Sequence, residues 1–308
     1  MDRRDFIKRS SHLLLFGAGG ATLAGCKTLD ELAVVTDSLG GVIGSQAGSQ
    51  AQSLLRMAGA ASRAMEELDA EQEYYLGRTV AANVMTQYKA YNNNEANQYL
   101  NHIGRYVCLA SALPETFGGY HFQIIDSDEI NAFAAPGGLV MVTRGMLRCC
   151  QSEDALAAVL AHEVGHVEYR HGLQAIKRSR ITSLMTTVGV EAIRHEGGAE
   201  LSQLVSIFDG AIDDIMTTMV NNGYSRSFER EADRAALKIL QRTGYDDRAL
   251  LAMLEEMGRR LTPGGTDFAK THPTPDSRIA EAERLLSTTR RPTTSARQAR
   301  FERAMRNV

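Results

Sequence analysis

The sequence has 308 residues, of which 44% are hydrophobic and 23% charged, and its formal net charge at pH 7 is -3. This length is enough to build one sizeable hydrophobic core, and the small net charge excludes proteins that bind nucleic acid through a large basic surplus. Six prolines, no tryptophan and many Ala, Leu, Glu and Arg residues favour a mainly helical protein. No apolar stretch is long enough to span a bilayer as a helix of the mature protein.

Residues 1–25 resemble a bacterial export signal and are excluded from the fold. Residues 3–8 follow the twin-arginine pattern, and the short apolar stretch after them ends in Leu23-Ala24-Gly25-Cys26, which resembles a lipobox. We therefore expect Cys26 to carry a lipid anchor. Lys27 stands where an inner-membrane retention signal would place Asp, which indicates the periplasmic face of the outer membrane. The alternative is an ordinary N-terminal helix with a buried cysteine.

Three cysteines remain when Cys26 is lipidated: Cys108, Cys149 and Cys150. An odd number of cysteines in an oxidising compartment leaves two interpretations open. Cys108 could form a disulfide with one of the two adjacent cysteines, or all three could be buried thiols, because adjacency in sequence is no evidence of spatial fit.

The segments between the signal and the first strand are predicted to be a tether followed by helices. Residues 26–48 contain several glycines and have a mixed composition, which is typical of a tether without regular secondary structure. Helical spacing of apolar residues predicts helices over 49–68, 69–91 and 95–111. Asp69 is the expected N-cap of the second helix.

A short β portion is predicted next, with strands over 120–125, 130–134 and 139–143. Pro136-Gly137-Gly138 separates the last two strands as a hairpin-like turn. Asn131, Ala132 and Phe133 are the candidate edge strand, to which an extended substrate could add by main-chain pairing. The alternative is a structural hairpin with no role in substrate binding.

The motif His162-Glu163-Val164-Gly165-His166 lies inside a run of helical periodicity over 152–170. Residues four apart on a helix project from one face about 6 Å apart, so both imidazoles can reach one metal ion. Glu163 points to the side, where it can hydrogen-bond a water molecule at that metal. Two neutral nitrogen ligands and a carboxylate base are the groups that zinc-assisted hydrolysis requires. The alternative is a buried helix that happens to carry two histidines.

A catalytic zinc site uses three protein ligands, so a further ligand is needed. His171 lies five residues beyond His166, so on a continuous helix its side chain would project from a different face than His162 and His166. Glu229 and Asp233 share one face of a separate predicted helix, so one can bind the metal while the other holds a histidine ring through its second nitrogen. Glu231 points elsewhere on that helix. The alternative is a solvated charged face.

Further helices are predicted over 173–194, 199–221, 246–261 and 275–286. The basic residues 288–308 are expected to form a solvated helical tail, with contact to anionic lipid headgroups as the alternative.

These motifs together resemble the HtpX and CaaX-prenyl-protease class of gluzincin zinc metallopeptidases. The lipobox and the sequence of residues 272–278 resemble the corresponding motifs of its periplasmic lipoprotein (LoiP-like) branch. The resemblance covers roughly 68–286 and implies an α+β, mainly helical, zincin-type domain over 49–287, with a small sheet beside the HExxH helix. It also implies one Zn²⁺ per chain, His162, His166 and Glu229 as ligands, Glu163 as the catalytic base and Asp233 as the partner of a ligating histidine.

The implied function is zinc-dependent cleavage of unfolded or misassembled cell-envelope proteins by a metalloendopeptidase. The alternative is a chaperone-like outer-membrane assembly factor that holds clients and cleaves rarely. His272 resembles a residue in a loop that approaches the zinc, where it could stabilise the oxyanion or act as a fourth ligand that keeps the enzyme latent. The latent form is favoured, because an envelope protease that cuts unfolded chains needs restraint.

Cys26→Ser is expected to move the protein from the membrane fraction to the soluble fraction, because acyl chains on this thiol would supply the anchor. Cell fractionation with palmitate labelling measures both effects, and Cys108→Ser is the matched control that keeps the label. Equal membrane recovery of the Cys26→Ser protein and the unaltered protein would contradict the lipobox interpretation.

Overall fold

The computed structural model describes residues 68–175, 223–260 and 275–308, together with residues 217, 219 and 272. Cys26, the predicted signal, the tether and the first predicted helix lie outside the described residues, as do most of the helices predicted over 173–194 and 199–221. Within the described part of the chain, no helix is both long and apolar enough to cross a membrane.

The described residues form a mainly helical α+β structure with a small sheet, as the sequence predicts. In chain order the elements are α1 (Ala70–Gln87), α2 (Asn94–Cys108), β1 (His121–Ile125), β2 (Ala132–Ala135), β3 (Leu139–Thr143), α3 (Arg144–Cys149), α4 (Glu153–Glu168), α5 (Arg226–Thr243), α6 (Arg248–Arg260), α7 (Pro275–Ala282) and α8 (Ser295–Met305). A 3-10 turn, Glu283–Leu285, follows α7 directly.

Side-chain caps explain where the two helices of the site begin. The Ser152 hydroxyl accepts the Ala155 N–H at the start of α4, and the Ser225 hydroxyl accepts the Phe228 N–H at the start of α5. Each cap satisfies a backbone donor that the first helical turn leaves without an acceptor. Gly244 ends α5 with a φ of 78°, a left-handed conformation that glycine adopts without steric cost.

The helix predicted over 69–91 is too long. The observed helix α1 ends at Gln87, and Tyr88 has the extended backbone angles φ -120° and ψ 141°. The residues that follow pair with the end of β1, through a bridge between Ala90 and Ile125. This pairing satisfies backbone groups that a continued helix would otherwise have used. Among the predicted helices and strands that lie within the described residues, the others differ from the observed ones only by a few residues at their ends.

The three strands form one sheet in the order β1-β3-β2. β1 runs parallel to β3, and β2 runs antiparallel to β3 with Ala132 opposite Val142. β2 is therefore an edge strand, and it begins within the segment 131–133 that the sequence indicates as a substrate strand. All four residues of β2 are buried. Helices α1 and α4 both pack against it.

Helices α4 and α5 cross closely at Gly165. A Cβ atom on Gly165 would lie 2.9 Å from the carbonyl oxygen of Ala232 and 3.0 Å from its Cα, closer than packed side chains tolerate. The absence of a side chain therefore sets the separation of the two helices. Ala232 precedes Asp233 on α5, so this crossing places the carboxylates of α5 beside the histidines of α4.

The expectation of a solvated C-terminal tail is wrong. Residues 295–305 form a helix, but Phe301 is buried in the core. Arg300 makes two hydrogen bonds to the buried carboxylate of Glu153, and Arg297 lies 3.1 Å from Asp154. Both acidic residues stand in the first turn of α4, so the tail neutralises carboxylates that a solvated helix would leave unpaired.

The three cysteines of the described chain are free thiols, which decides between the two interpretations left open by the sequence. Cys108, Cys149 and Cys150 are all buried in the main hydrophobic core. Burial raises the pKa of all three thiols, so they remain protonated and unreactive at neutral pH.

Gly165→Ala is expected to lower the free energy of unfolding by about 1–3 kcal/mol, because the added methyl group overpacks the crossing of α4 and α5. Gly258→Ala is the matched control. Gly258 is exposed within α6, where alanine raises helix propensity by about 1 kcal/mol. Urea denaturation of the chain without residues 1–25 measures both changes. Stabilisation by both substitutions would show that Gly165 does not set the helix separation.

Candidate active site

The HExxH motif lies in the buried middle of α4. His162 and His166 project from one face of the helix, and their Nε2 atoms are 3.1 Å apart. Both side chains are almost fully buried, with exposures of 1% and 2%. The apolar residues of α4 hold this face against the sheet and the neighbouring helices, so the two imidazoles are fixed before any ligand arrives.

Glu229 and His272 complete a cluster around the two histidines of α4. The Glu229 carboxylate oxygens lie 3.4 Å from the Nε2 atoms of His162 and His166. His272 Nδ1 lies 2.8 Å from both Glu229 oxygens. One donor atom from each of the four residues lies within 4.8 Å of all the others, and all four residues are buried.

The donor set and spacing of this cluster fit a tetrahedral zinc ion. Ligand atoms about 2.1 Å from a tetrahedral metal are themselves about 3.4 Å apart, and imidazole nitrogen and carboxylate oxygen are usual zinc ligands. The 3.1 Å and 3.4 Å separations among His162, His166 and Glu229 match that geometry. The residues therefore fit zinc, and His272 contributes a fourth candidate donor atom to the cluster.

Asp233 and Arg278 form a buried ion pair next to the cluster. Asp233 Oδ1 lies 3.0 Å from His162 Nδ1, the nitrogen that faces away from Glu229. The Arg278 guanidinium donates to both oxygens of Asp233 and lies 3.4 Å from a Glu229 oxygen. One buried cation therefore stands between two buried carboxylates, which offsets part of the cost of removing them from water.

Electrostatics keep both of these carboxylates ionised. Burial by itself would raise the pKa of Glu229, but the neighbouring His272 and Arg278 hold that pKa well below its usual value. Burial opposes ionisation of Asp233 as well, and Arg278 outweighs it, so the pKa of Asp233 is also lowered. Ionised carboxylates are the form that can bind a metal or hold a ligating histidine.

Glu163 differs from the other two carboxylates. Its side chain is 1% exposed, and Oε1 has no hydrogen-bond partner among the residues that the structure describes. Burial raises the pKa of Glu163 to about 7, while His162 opposes the rise. A carboxylate that titrates near neutrality and keeps a lone pair free has the properties of a general base.

The segment indicated as a substrate strand lies at the edge of the sheet, but its side chains are not open to solvent. Phe133 is 2% exposed and packs in a cluster with Met219 and Phe228, and its ring lies 5.7 Å from that of Tyr88. Asn131 is also buried, and its side chain accepts the N–H of Ala132. In this conformation the edge strand is covered by the protein's own residues.

Two further side chains beside His166 are not predicted by the sequence analysis. Tyr224 stacks on the His166 ring with centroids 4.4 Å apart, and its hydroxyl is buried. His171 stands outside the four-residue cluster, with its Nδ1 2.9 Å from Nδ1 of His166. From the sequence, His171 is predicted only not to be a direct ligand. The short sequence distance between His171 and the HExxH motif could have indicated another role, because it lets the His171 imidazole contact a histidine of the motif.

Comparison with known proteins decides the family. The sequence profile of peptidase family M48 matches residues 94–286, which include α4, α5 and His272. The chain belongs to peptidase family M48. The M48 metallopeptidases use zinc, so the resemblance to zinc metallopeptidases is confirmed, as is the expectation of a zinc cofactor.

Named M48 relatives come from bacteria and from mitochondria. The chain is 32% identical over 194 residues to the beta-barrel assembly-enhancing protease of Escherichia coli, covering 62% of this chain and 39% of that protein. It is 34% identical over 195 residues to the protein of the same name from Yersinia pestis, covering 60% and 38%. It is 31% identical over 174 residues to the mitochondrial metalloendopeptidase OMA1 of Schizosaccharomyces pombe, covering 54% and 47%. The chain thus spans less than half the length of these relatives.

Proposed function

We propose that this M48 chain is a zinc-dependent metalloendopeptidase that cleaves unfolded or misassembled proteins of the cell envelope. The observation that carries the proposal is the buried cluster of His162, His166, Glu229 and His272, with Glu163 beside it. It unites the donor set of a zinc site with a carboxylate that has a free oxygen. Those are the groups needed for hydrolysis of a peptide bond.

His162, His166 and Glu229 would hold the zinc, which when bound supplies a Lewis acid that acidifies water and polarises a carbonyl. Glu163 accepts the proton of the attacking water and returns it to the leaving amine. Asp233 accepts the proton on Nδ1 of His162 and so keeps Nε2 free as a ligand. Each of these roles uses an atom that lies in the buried cluster or in direct contact with it.

Two observations support unfolded envelope proteins as substrates. A chain must be extended to pair with an edge strand such as β2, and folded proteins offer few such segments. Two of the relatives described above are named as beta-barrel assembly-enhancing proteases. The chaperone-like alternative is not favoured, because those relatives are named as proteases and the cluster here holds a complete set of hydrolytic groups.

We place the protein at the periplasmic face of the outer membrane, anchored through a lipid on Cys26. Support comes from the lipobox-like residues 23–26 and from Lys27, which lacks the acidic character of an inner-membrane retention signal. A protease anchored there would be in the same compartment as the misassembled envelope proteins that are its proposed substrates.

His272 is proposed to act as a fourth zinc ligand that holds the enzyme in a latent state. Its Nδ1 lies within the donor cluster and 2.8 Å from both oxygens of Glu229. A fourth protein ligand occupies the position that a catalytic zinc site leaves for water. The buried edge strand agrees with this interpretation, because substrate cannot pair with β2 until its covering residues move.

Glu163→Gln is expected to keep one zinc per chain and to lower cleavage of unfolded casein by a factor on the order of 100 to 10,000, because the amide cannot accept the proton. Glu229→Ala is the companion variant that loses a ligand, and its zinc content should fall sharply. Elemental analysis and a casein assay measure the two properties on the same preparations. Full cleavage by the Glu163→Gln protein would refute the hydrolytic mechanism.

His272→Ala is expected to cleave unfolded casein faster than the unaltered protein, because it frees the fourth zinc position. If His272 instead donated a hydrogen bond to the oxyanion, the same change would lower turnover by a factor on the order of 100 to 1000. Initial rates at saturating zinc separate the two roles. Unchanged activity would contradict both of them.

A further inference from the structure

A hydrogen-bonded series of three side chains starts at the back of His166 and ends at the surface. His171 is fully buried, with 0% exposure, and its Nδ1 lies 2.9 Å from Nδ1 of His166. The other nitrogen of the His171 ring, Nε2, lies 3.0 Å from a carboxylate oxygen of Glu231. None of the proposed metal-binding or proton-transfer roles uses His171 or Glu231.

A single arrangement of protons satisfies every contact in this series. His166 faces the cluster with Nε2, so as a neutral ligand it must carry its proton on Nδ1. That N–H then donates to Nδ1 of His171, which must be the unprotonated nitrogen of its ring. His171 therefore carries its own proton on Nε2 and donates it to the carboxylate of Glu231. Each nitrogen has one role and no two protons compete for one position.

The backbone bends to bring His171 into this position. On a continuous helix a residue five positions beyond His166 would lie on a different face. Arg170 has a φ of 52°, a left-handed conformation that is uncommon for residues other than glycine. It follows the end of α4 and turns the chain, so that His171 reaches the back of the His166 ring. A local conformation that costs energy is retained where the surrounding structure requires it.

Aromatic stacking then fixes the angle of the His171 ring. The ring lies nearly parallel to that of Phe228, with an interplanar angle of 8° and centroids 4.3 Å apart. Tyr169 is also nearly parallel to it, with centroids 5.6 Å apart. Phe228 precedes Glu229 on α5, so the same helix supplies a metal ligand and the support for this ring. A ring held in this way can aim its nitrogen at one point.

The two histidines of the motif are supported in different ways. His162 Nδ1 meets the carboxylate of Asp233 directly, at 3.0 Å. His166 Nδ1 meets a carboxylate only through the neutral ring of His171, and that carboxylate, on Glu231, is 40% exposed. Placing the Glu231 carboxylate at the surface avoids burying a further negative charge beside Glu163, Glu229 and Asp233.

We propose that His171 is a positioning residue for the metal site. It accepts the Nδ1 proton of His166, fixes the tautomer that offers Nε2 to zinc, and is itself oriented by Glu231. The inference rests on the proposed function in that it takes His166 to be a zinc ligand. Loss of a hydrogen-bond partner of a ligating histidine lowers metal affinity by roughly 10- to 100-fold.

Two substitutions of His171 separate hydrogen bonding from packing. His171→Phe keeps an aromatic ring that can stack on Phe228 and Tyr169 but removes the acceptor. His171→Asn loses the ring, while its side-chain oxygen stands near the position of Nδ1 and can still accept from His166. Zinc Kd is measured by competition with a chromogenic chelator on the chain without residues 1–25. The visible spectrum of the cobalt(II)-substituted protein reports the ligand geometry.

We expect His171→Phe to raise the zinc Kd by about 10- to 100-fold and to alter the cobalt spectrum. His171→Asn should stay within about threefold of the unaltered protein. Equal losses in both variants, a larger loss in His171→Asn, or no loss in His171→Phe would each overturn the proposal. In those cases His171 either serves packing alone or has no part in metal binding.

Glu231→Gln gives a second test that leaves the buried rings in place and remains available if a His171 variant does not fold. It should weaken zinc binding in the same direction by a smaller factor, because it acts through His171. Glu255→Gln on α6 is the charge-matched control and should leave Kd unchanged. An unchanged Kd in Glu231→Gln would overturn the assigned role of Glu231 in the series.

The same measurements distinguish failure of this inference from failure of the proposed function. An unaltered protein that binds no zinc overturns both. An unaltered protein that binds zinc but cleaves no substrate overturns the proposed activity, while the Kd values still test His171. An unaltered protein that binds zinc and cleaves, beside a His171→Phe variant of equal Kd, overturns the inference alone.

Discussion

The close crossing of α4 and α5 at Gly165 is the contact on which the site depends. The HExxH motif of α4 by itself offers two imidazoles as ligands, with Glu163 proposed as the base, and two ligands are too few for a catalytic zinc site. The missing carboxylate reaches the imidazoles because α5 approaches within a distance that only glycine permits. The same approach brings Asp233 behind His162 and Phe228 against His171. The packing of these two helices therefore positions both the candidate metal ligands and the residues that contact them.

Burial of this much charge requires compensation, and the structure supplies it locally. Glu229 and Asp233 are ionised in the core, with Arg278 between them. Glu153, at the other end of α4, is offset by Arg300 of the C-terminal helix. Both cations come from the C-terminal part of the chain. That part of the chain therefore contributes to the charge balance of the site, because Arg278 offsets Glu229 and Asp233 on α5 and Arg300 offsets Glu153 at the start of α4.

The described conformation agrees with the latent state proposed for His272. His272 contributes a donor atom to the cluster, and the edge strand β2, which is the proposed substrate strand, is buried beneath the protein's own apolar residues. A protease with the proposed substrates would meet segments that every nascent envelope protein exposes for a time, so unrestrained activity would be harmful. On the proposed latent role of His272, activity would require a conformational change that frees both the metal position and the edge strand.

The sequence by itself determined the local features of this protein. Helical periodicity located α4, and the HExxH spacing placed two imidazoles on one face of it, because four residues make about one helical turn. The paired acidic residues on α5 indicated a separate source for the next carboxylate. Only the tertiary structure decided which neighbours these groups acquired. The left-handed turn at Arg170 returned His171 to His166, and pairing with β1 ended α1 early. The C-terminal helix docked against the acidic start of α4. Each of these outcomes depends on contacts between residues distant in the chain or on a single backbone angle, and neither leaves a periodic signal in the sequence.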